Sequence, residues 1–311
     1  MKQEKKEIII GTRGSKLALT QSQWVAGELK KQHPEKDFVL KEIRTKGDEI
    51  LDVALSKIGD KGLFVKEIEK ALLDGEVDLA VHSMKDLPTM ISPGLIIGAV
   101  TCREDARDAL VSKKGVNLED LPQGAVVGTS SLRRKSQLLH LRPDLKIIDL
   151  RGNLDTRLRK LEEMDFDAIV IATAGIKRLG WEDKITERLS LEVSTPAVGQ
   201  GALGIEIREG DSFLQSIVDC LNNPETYWAT QGERAFLREL EGGCQVPIGA
   251  FGQVEGDQLV LTGMVASVDG KKLLRQQIKG RLEDGEAMGV ALAREALALG
   301  AGEILAEVRG G

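Results

Sequence analysis

Aromatic residues make up only 3% of this 311-residue chain, and histidine and cysteine occur three times each. Scarce aromatics and a formal net charge of −6 exclude the usual nucleic-acid binder, which pairs a basic face with stacking rings. A local basic pocket is still compatible with an acidic whole. The cysteines, Cys102, Cys220 and Cys244, are odd in number and scattered, which excludes a disulfide framework. Their spacing, with so few histidines, builds no zinc cage, so no metal site is expected. Long hydrophobic runs are also missing: none approaches the roughly 20 residues of a membrane helix. Met1–Glu7 is polar and the apolar run behind it is only Ile8–Ile10, too short for a signal-peptide core. These absences point to a reduced, cytoplasmic compartment.

What is present is the composition of a globular enzyme: 41% hydrophobic, 30% charged, and 34 glycines that suit tight turns and close approach of backbone to ligand. At about 150 residues per domain the length predicts two or three domains. Short β-branched runs alternate with helical patterns. Strands are expected at Glu7–Gly11, Phe38–Ile43 and Asp78–His82, with helices over Ser15–Lys31 and Lys66–Leu73. The pattern then restarts, with strands at Ala125–Gly128, Lys146–Leu150 and Ala168–Ala172 and helices over Ser131–Leu141, Leu154–Glu163 and near Ile176. Such βα units predict mostly parallel, covered sheets. The two starts echo each other, GTRGS against GTSS. Two similar α/β domains facing one cleft would explain the echo, with TCREDARD (101–108) and STPAVGQGALG (194–204) as the crossovers between them. A third segment opens at Asn223-Pro224, an N-cap followed by proline at the first helical position. It holds a helix to Leu240, a Gly-rich turn over Glu241–Gly249, strands near Gly252–Val254 and Leu259–Ala266, and a closing helix from Gly285 to Val308.

Loops that follow strands are where open α/β sheets bind ligands. Here those loops are Thr12–Ser15, Ser83–Asp86, Thr129–Arg134, Arg151–Asn153 and Thr173–Arg178, and each carries arginine or, at Lys85, lysine. Helix starts already present a positive dipole end, so repeated cations there need an anion to explain them. One such arginine alone reads as a solvated or acid-paired charge; the set reads as a site for carboxylate or phosphate. Asp86, beside Lys85, is either an ordinary turn residue or a carboxylate kept ionised by its neighbours, able to stabilise developing positive charge or move a proton. Cys244 lies in the loop EGGCQVPIG and is the best candidate for covalent chemistry. Cys220 reads as a buried small residue within the helical run Phe213–Leu221. Arg44–Gly62 reads either as a mobile lid or as a surface connection.

Together GTRGSKLAL, KGLFVKE, AVHSMKDLP, REDARDA, VGTSSLRRKSQL, LRGNLDTRL, GIKRLG, PAVGQGALGIE and LEGGCQVPIGA resemble the porphobilinogen deaminase (hydroxymethylbilane synthase) family, in family order from about Ile8 to the C-terminus. Ala106 departs from the proline that bacterial members often carry there. The resemblance implies an α/β fold of three domains. Two are similar, doubly wound and like type II periplasmic binding proteins (1–101 with 202–219, and 107–195). The third is a smaller α+β C-terminal domain (224–311). It implies a transferase of tetrapyrrole and haem biosynthesis that condenses four porphobilinogen molecules into hydroxymethylbilane, releasing ammonia, on a dipyrromethane cofactor held by a thioether to Cys244. Asp86 matches the catalytic carboxylate. Arg13, Lys85, Arg133, Arg134, Arg151, Arg157 and Arg178 match positions that bind acetate and propionate groups. Ser15, Thr129, Ser131 and Gln200 fall in matching motifs and would add neutral hydrogen bonds, and Lys57 and Lys61 match lid lysines. The family also implies a monomer with a small-molecule substrate and no nucleic-acid or membrane partner. A non-catalytic anion-binding protein is the competing reading. It leaves Cys244 without a purpose, and it predicts export in a chain with no visible leader. Phosphoryl transfer lacks a phosphate-loop sequence and a cluster of metal-ligating acids.

Overall fold

The computed structural model describes residues 6–49, 65–241 and 246–310. The expectations for Cys244 and for the lysines at 57 and 61 fall outside those residues. Contacts divide the chain into two compact units, Met1–Arg103 with Ala202–Tyr227, and Glu104–Gly201 with Trp228–Gly311.

Along the first unit run β1 (Glu7–Thr12), α1 (Lys16–Gln32), β2 (Asp37–Glu42), α2 (Lys46–Glu49), α3 (Lys66–Leu73), β3 (Leu79–Ser83), a 3-10 turn over Met84–Asp86 and β4 (Leu95–Val100). The second unit opens with β5 (Asp108–Ser112), β6 (Val126–Gly128), α4 (Leu132–Leu141), β7 (Lys146–Ile148), α5 (Leu154–Glu163), β8 (Ala168–Ala172), α6 (Thr173–Arg178) and β9 (Glu187–Arg188). The chain returns to the first unit through β10 (Leu203–Arg208) and α7 (Ser212–Val218). It then closes with α8 (Pro224–Glu239), β11 (Ile248–Glu255), β12 (Gln258–Ala266), β13 (Leu273–Arg281), α9 (Gly285–Ala298) and α10 (Ala301–Gly310).

The first sheet has the order β2-β1-β3-β10-β4 and the second β7-β6-β8-β5-β9. In each, four strands point one way and the strand arriving from the crossover runs antiparallel between two of them. Alternating side chains fill both faces, as expected of covered sheets. Ile8, Ile10, Leu79 and Ile205 pack on Val25 and Leu29 of α1, while Ala80 and Leu95 pack on Ile68 and Leu72 of α3. In the second sheet Leu110, Val127 and Val170 pack on Leu138 of α4, and Val111, Ile169 and Ile171 pack on Leu161 of α5. The antiparallel sheet β11-β12-β13 is covered by Phe236 of α8, by Met288 and Leu292 of α9 and by Leu305 of α10.

Side-chain caps set the helix starts. Ser15 Oγ accepts from Ala18 N, Ser131 Oγ from Arg134 N and Asn223 Oδ1 from Thr226 N. The closing helix is two helices, because Gly300 at φ 98° ends the first in a conformation other residues avoid. Cys220 is exposed, in a 3-10 turn over Asp219–Leu221, so its reading as a buried apolar residue is corrected. The turn ends α7 early and carries the thiol out of the core. No helix among the described residues is long and apolar enough to cross a membrane.

Candidate active site

In the first unit β1 and β3 are parallel neighbours, with Gly11 beside Ala80, so the segments beyond them leave one sheet edge. Arg13 and Ser15 follow β1; Lys85 and Asp86 follow β3. The Ser15 hydroxyl is engaged in capping α1 (3.3 Å to Ala18 N). The turn that carries Asp86 is anchored twice: Met84 N donates to Ala202 O at 3.0 Å, and Gln21 Nε2 donates to Ser83 Oγ at 3.0 Å. Met84 itself is buried. Lys85 and Asp86 are half-buried on this fixed turn, which suits a carboxylate that must meet a substrate without wandering.

Behind them lies a buried acid–imidazole pair that the sequence did not flag. His82 Nε2 on β3 is 3.0 Å from Glu206 Oε2 on β10, with side chains 3% and 0% exposed. The contact satisfies His82 Nε2 and Glu206 Oε2, while Glu206 Oε1 is buried with no hydrogen-bond partner.

In the second unit β7, β6 and β8 run parallel, so Thr129–Arg134, Arg151–Asn153 and Thr173–Arg178 all leave the same edge. The structure thus brings Thr129, Ser131, Arg133, Arg134, Arg151, Arg157 and Arg178 to one side of one sheet. Ser131 caps α4, and its own N–H donates to Thr129 Oγ1 at 3.2 Å. Arg157 Nε donates to Gly152 O at 2.8 Å and so ties the loop after β7 to the first turns of α5. Gly152 sits at φ 112°, and a Cβ there would strike Thr156, so this loop requires glycine. Arg178 Nη2 donates to Gly201 O at 2.6 Å, and burial pulls its pKa down to about 10, which leaves it charged at neutral pH.

Arg133 and Arg134 converge on one carboxylate. Asp108, wholly buried at the start of β5, accepts from Arg133 Nη1 (2.8 Å) and Ser194 Oγ (2.7 Å) at Oδ2, and from Arg134 Nη2 (2.7 Å) and Gln200 Nε2 (2.9 Å) at Oδ1. Main-chain carbonyls complete the cluster: Thr195 O takes Arg133 (2.7 Å), Val170 O takes Arg134 (3.1 Å) and Ala106 O takes Gln200 (2.6 Å). Burial alone would raise the Asp108 pKa, but the two guanidinium charges and their hydrogen bonds more than reverse this and hold it far below the usual carboxylate range. Arg134 Nε is buried with no hydrogen-bond partner. Sequence reasoning singled out the arginines and Gln200 but missed Asp108 and Ser194. The only available signal for Asp108 was its place directly after Arg107 in the charged run REDARDA.

The chain resembles known proteins over nearly its whole length. The family profile "Porphobilinogen deaminase, dipyromethane cofactor binding domain" matches residues 8–216, and "Porphobilinogen deaminase, C-terminal domain" matches 228–298. Porphobilinogen deaminase of Carboxydothermus hydrogenoformans is 55% identical over 98% of this chain and 98% of its own length. Those of Desulforudis audaxviator and Brevibacillus brevis are each 55% identical, covering 99% and 96% of this chain and the same shares of theirs. Among solved structures, the aliphatic sulphonate binding protein SsuA from Escherichia coli is similar at 14% identity and TM-score 0.40, over 76% of this chain and 71% of that one. With family profiles spanning most of its length and relatives at this identity, the chain belongs to the porphobilinogen deaminase family, the transferases that polymerise porphobilinogen on a dipyrromethane cofactor in tetrapyrrole synthesis.

Proposed function

We propose that this chain condenses four porphobilinogen molecules head to tail into hydroxymethylbilane, with release of ammonia, as a cytoplasmic monomer whose dipyrromethane cofactor is joined by a thioether to Cys244. Its partner is the small-molecule substrate, with no nucleic acid or membrane involved. The chain is organised as three domains, 1–101 with 202–219, 107–195, and 224–311.

The residues of the second unit suit the cofactor's chemistry. Each pyrrole carries two carboxylates, and the Arg133–Arg134–Asp108 cluster holds two positive charges against one negative, with a buried donor, Arg134 Nε, left over. When bound, the cofactor supplies a fixed pyrrole terminus for chain growth and keeps the product attached. The protein's own part is electrostatic. Arg133, Arg134, Arg151, Arg157 and Arg178, with Arg13 and Lys85 of the first unit, hold acetate and propionate groups and offset the negative charge that grows with each addition. Thr129, Ser131, Ser15 and Gln200 fix the backbone that presents them and offer neutral hydrogen bonds. Asp86, on its anchored turn, assists departure of ammonia and stabilises positive charge at the reacting ring.

The observation that carries this reading is the delivery of so many arginines to one edge of one sheet in a chain of negative net charge. Intact mass spectrometry tests it. The purified protein should be heavier than its polypeptide by one dipyrromethane, and Cys244→Ser should fold yet show the bare mass. A bare wild-type mass, unchanged after incubation with porphobilinogen, overturns the reading; a cofactor retained by the variant moves the attachment elsewhere.

A further inference from the structure

The two sheets can be aligned residue by residue through their pairing. Gly11 of β1 faces Ala80 of β3, and Gly128 of β6 faces Ile169 of β8. Three residues further along, Ser83 faces Leu203 at the start of β10, and Ala172 faces Asp108 at the start of β5. Leu203 and Asp108 therefore occupy the same place in the two sheets. The helices align the same way from their serine caps: Leu17 and Ala18 follow Ser15 as Arg133 and Arg134 follow Ser131.

One fold thus fills one location in two ways. In the first sheet the strand position is held by carbon, since Leu203 belongs to the apolar core. In the second it is a carboxylate and two guanidiniums with side chains 0%, 5% and 7% exposed. Burying ions in place of well-packed carbon gives little or no stability, so the fold does not require this cluster. The bonds to Asp108 also reach across the sequence, from α4 to the second crossover at Ser194 and Gln200.

We infer that Asp108 is a positioning residue for this enzyme: with Ser194 it clamps Arg133, Arg134 and Gln200 into one buried cluster and leaves that cluster a single unbalanced positive charge, which receives one pyrrole carboxylate. This rests on the proposed function. Asp108 touches no ligand; it fixes the direction in which the guanidiniums present their remaining donors, and the orphaned Nε of Arg134 is one of these. Without Asp108 the two cations repel each other and the cluster opens.

The test uses the whole chain, purified as holoenzyme, with porphobilinogen as the probe. Wild type is weighed first, and a wild type that never gains a dipyrromethane sinks the proposed function rather than this inference. Given a loaded wild type, Asp108→Asn should fold by circular dichroism but show a reduced holo fraction. Its kcat/KM should fall at least tenfold, mostly through KM, and Asp108→Glu should recover part of the loss. A folded Asp108→Asn protein with wild-type loading and KM overturns the clamp, and so does a loss confined to thermal stability. If Asp108→Asn does not fold, Ser194→Ala decides. Removing that one hydrogen bond should raise KM two- to fivefold in a protein still folded at the assay temperature, and a wild-type KM overturns the inference. The triple variant Asp108→Leu, Arg133→Leu, Arg134→Ala, which copies the first sheet, should fold while failing to load; failure to fold would show that the cluster serves the fold instead.

Discussion

Asp78 and Asp167 do the same job in different sheets. Asp78 N donates to Ile9 O, and Ile9 N donates back to Asp78 Oδ2. Asp167 N donates to Val126 O, and Val126 N donates back to Asp167 Oδ2. Each aspartate ends a turn and locks the entry of one parallel strand against its neighbour. At the opposite edge the sheets diverge. After β3 comes the short turn with Lys85 and Asp86; at the matching position after β8, α6 begins and Gly175 stands where the acid would be. The antiparallel strand begins with Leu203 in one sheet and Asp108 in the other. The sheets are therefore alike at the shared edge and differ at the other, which carries a half-buried carboxylate, Asp86, in the first sheet and the buried guanidiniums of Arg133 and Arg134 in the second. That is where open α/β sheets concentrate their binding groups.

The division can be broken experimentally, beginning where the effect is largest. Asp86→Asn should keep the covalent cofactor and lose turnover by about 10²–10⁴-fold, the range of a lost acid–base group; steady-state rates on holoprotein check this, and near-normal turnover would move the role elsewhere. Asp108→Asn should destabilise the second unit by about 3–5 kcal/mol, since it strands two buried cations. The acid limb carries a sign. The Asp108 pKa is lowered from its ordinary 3.8, so its contribution is present above that value and lost as pH falls below it. Urea unfolding between pH 5 and pH 3 should therefore be steeper in pH for wild type than for Asp108→Asn, and parallel curves would contradict the ion cluster. Asp78→Asn and Asp167→Asn should each cost roughly 1.5–3 kcal/mol, the worth of a charged hydrogen bond; a neutral result at one site alone would dissolve the equivalence of the sheets. The smallest contrast is between matched glycines. A Cβ at Gly128 would meet Ile169, Leu150 and Phe166 at 3.1 Å on three sides, whereas at Gly11 it would meet Val77 at 3.2 Å and Ile43 at 3.4 Å. Gly128→Ala should be the costlier by roughly 1 kcal/mol in denaturant midpoints.

What could be read in the sequence followed from locality. Strands β1, β3, β6 and β8 are short apolar runs, and the caps Ser15, Ser131 and Asn223 announce their helices within three residues. Strands β5 and β10 were not expected, because each is placed by pairing with distant partners: Asp108 with Ala172, and Leu203 with Ser83 and Thr101. Strand β13 escaped notice for another reason. Its residues, LLRQQIKGR, are largely polar, and none is fully buried along this edge of the small sheet. At the candidate site the loop arginines were legible because cations at helix starts violate a dipole rule. Asp108 was not, because its partners lie 25 and 86 positions away in Arg133 and Ser194, and an acid within a charged run reads as solvated.

The strand order also bears on birth at the ribosome. β10 lies between β3 and β4, so the sheet begun first stays split, with two open edges, until Leu203–Arg208 has been translated. The other sheet needs nothing beyond Arg188. Vectorial synthesis therefore finishes the later-encoded sheet first, reversing the N-to-C order in which domains ordinarily mature, and a nascent chain stalled near residue 200 would present its earliest strands as targets for chaperones and proteases.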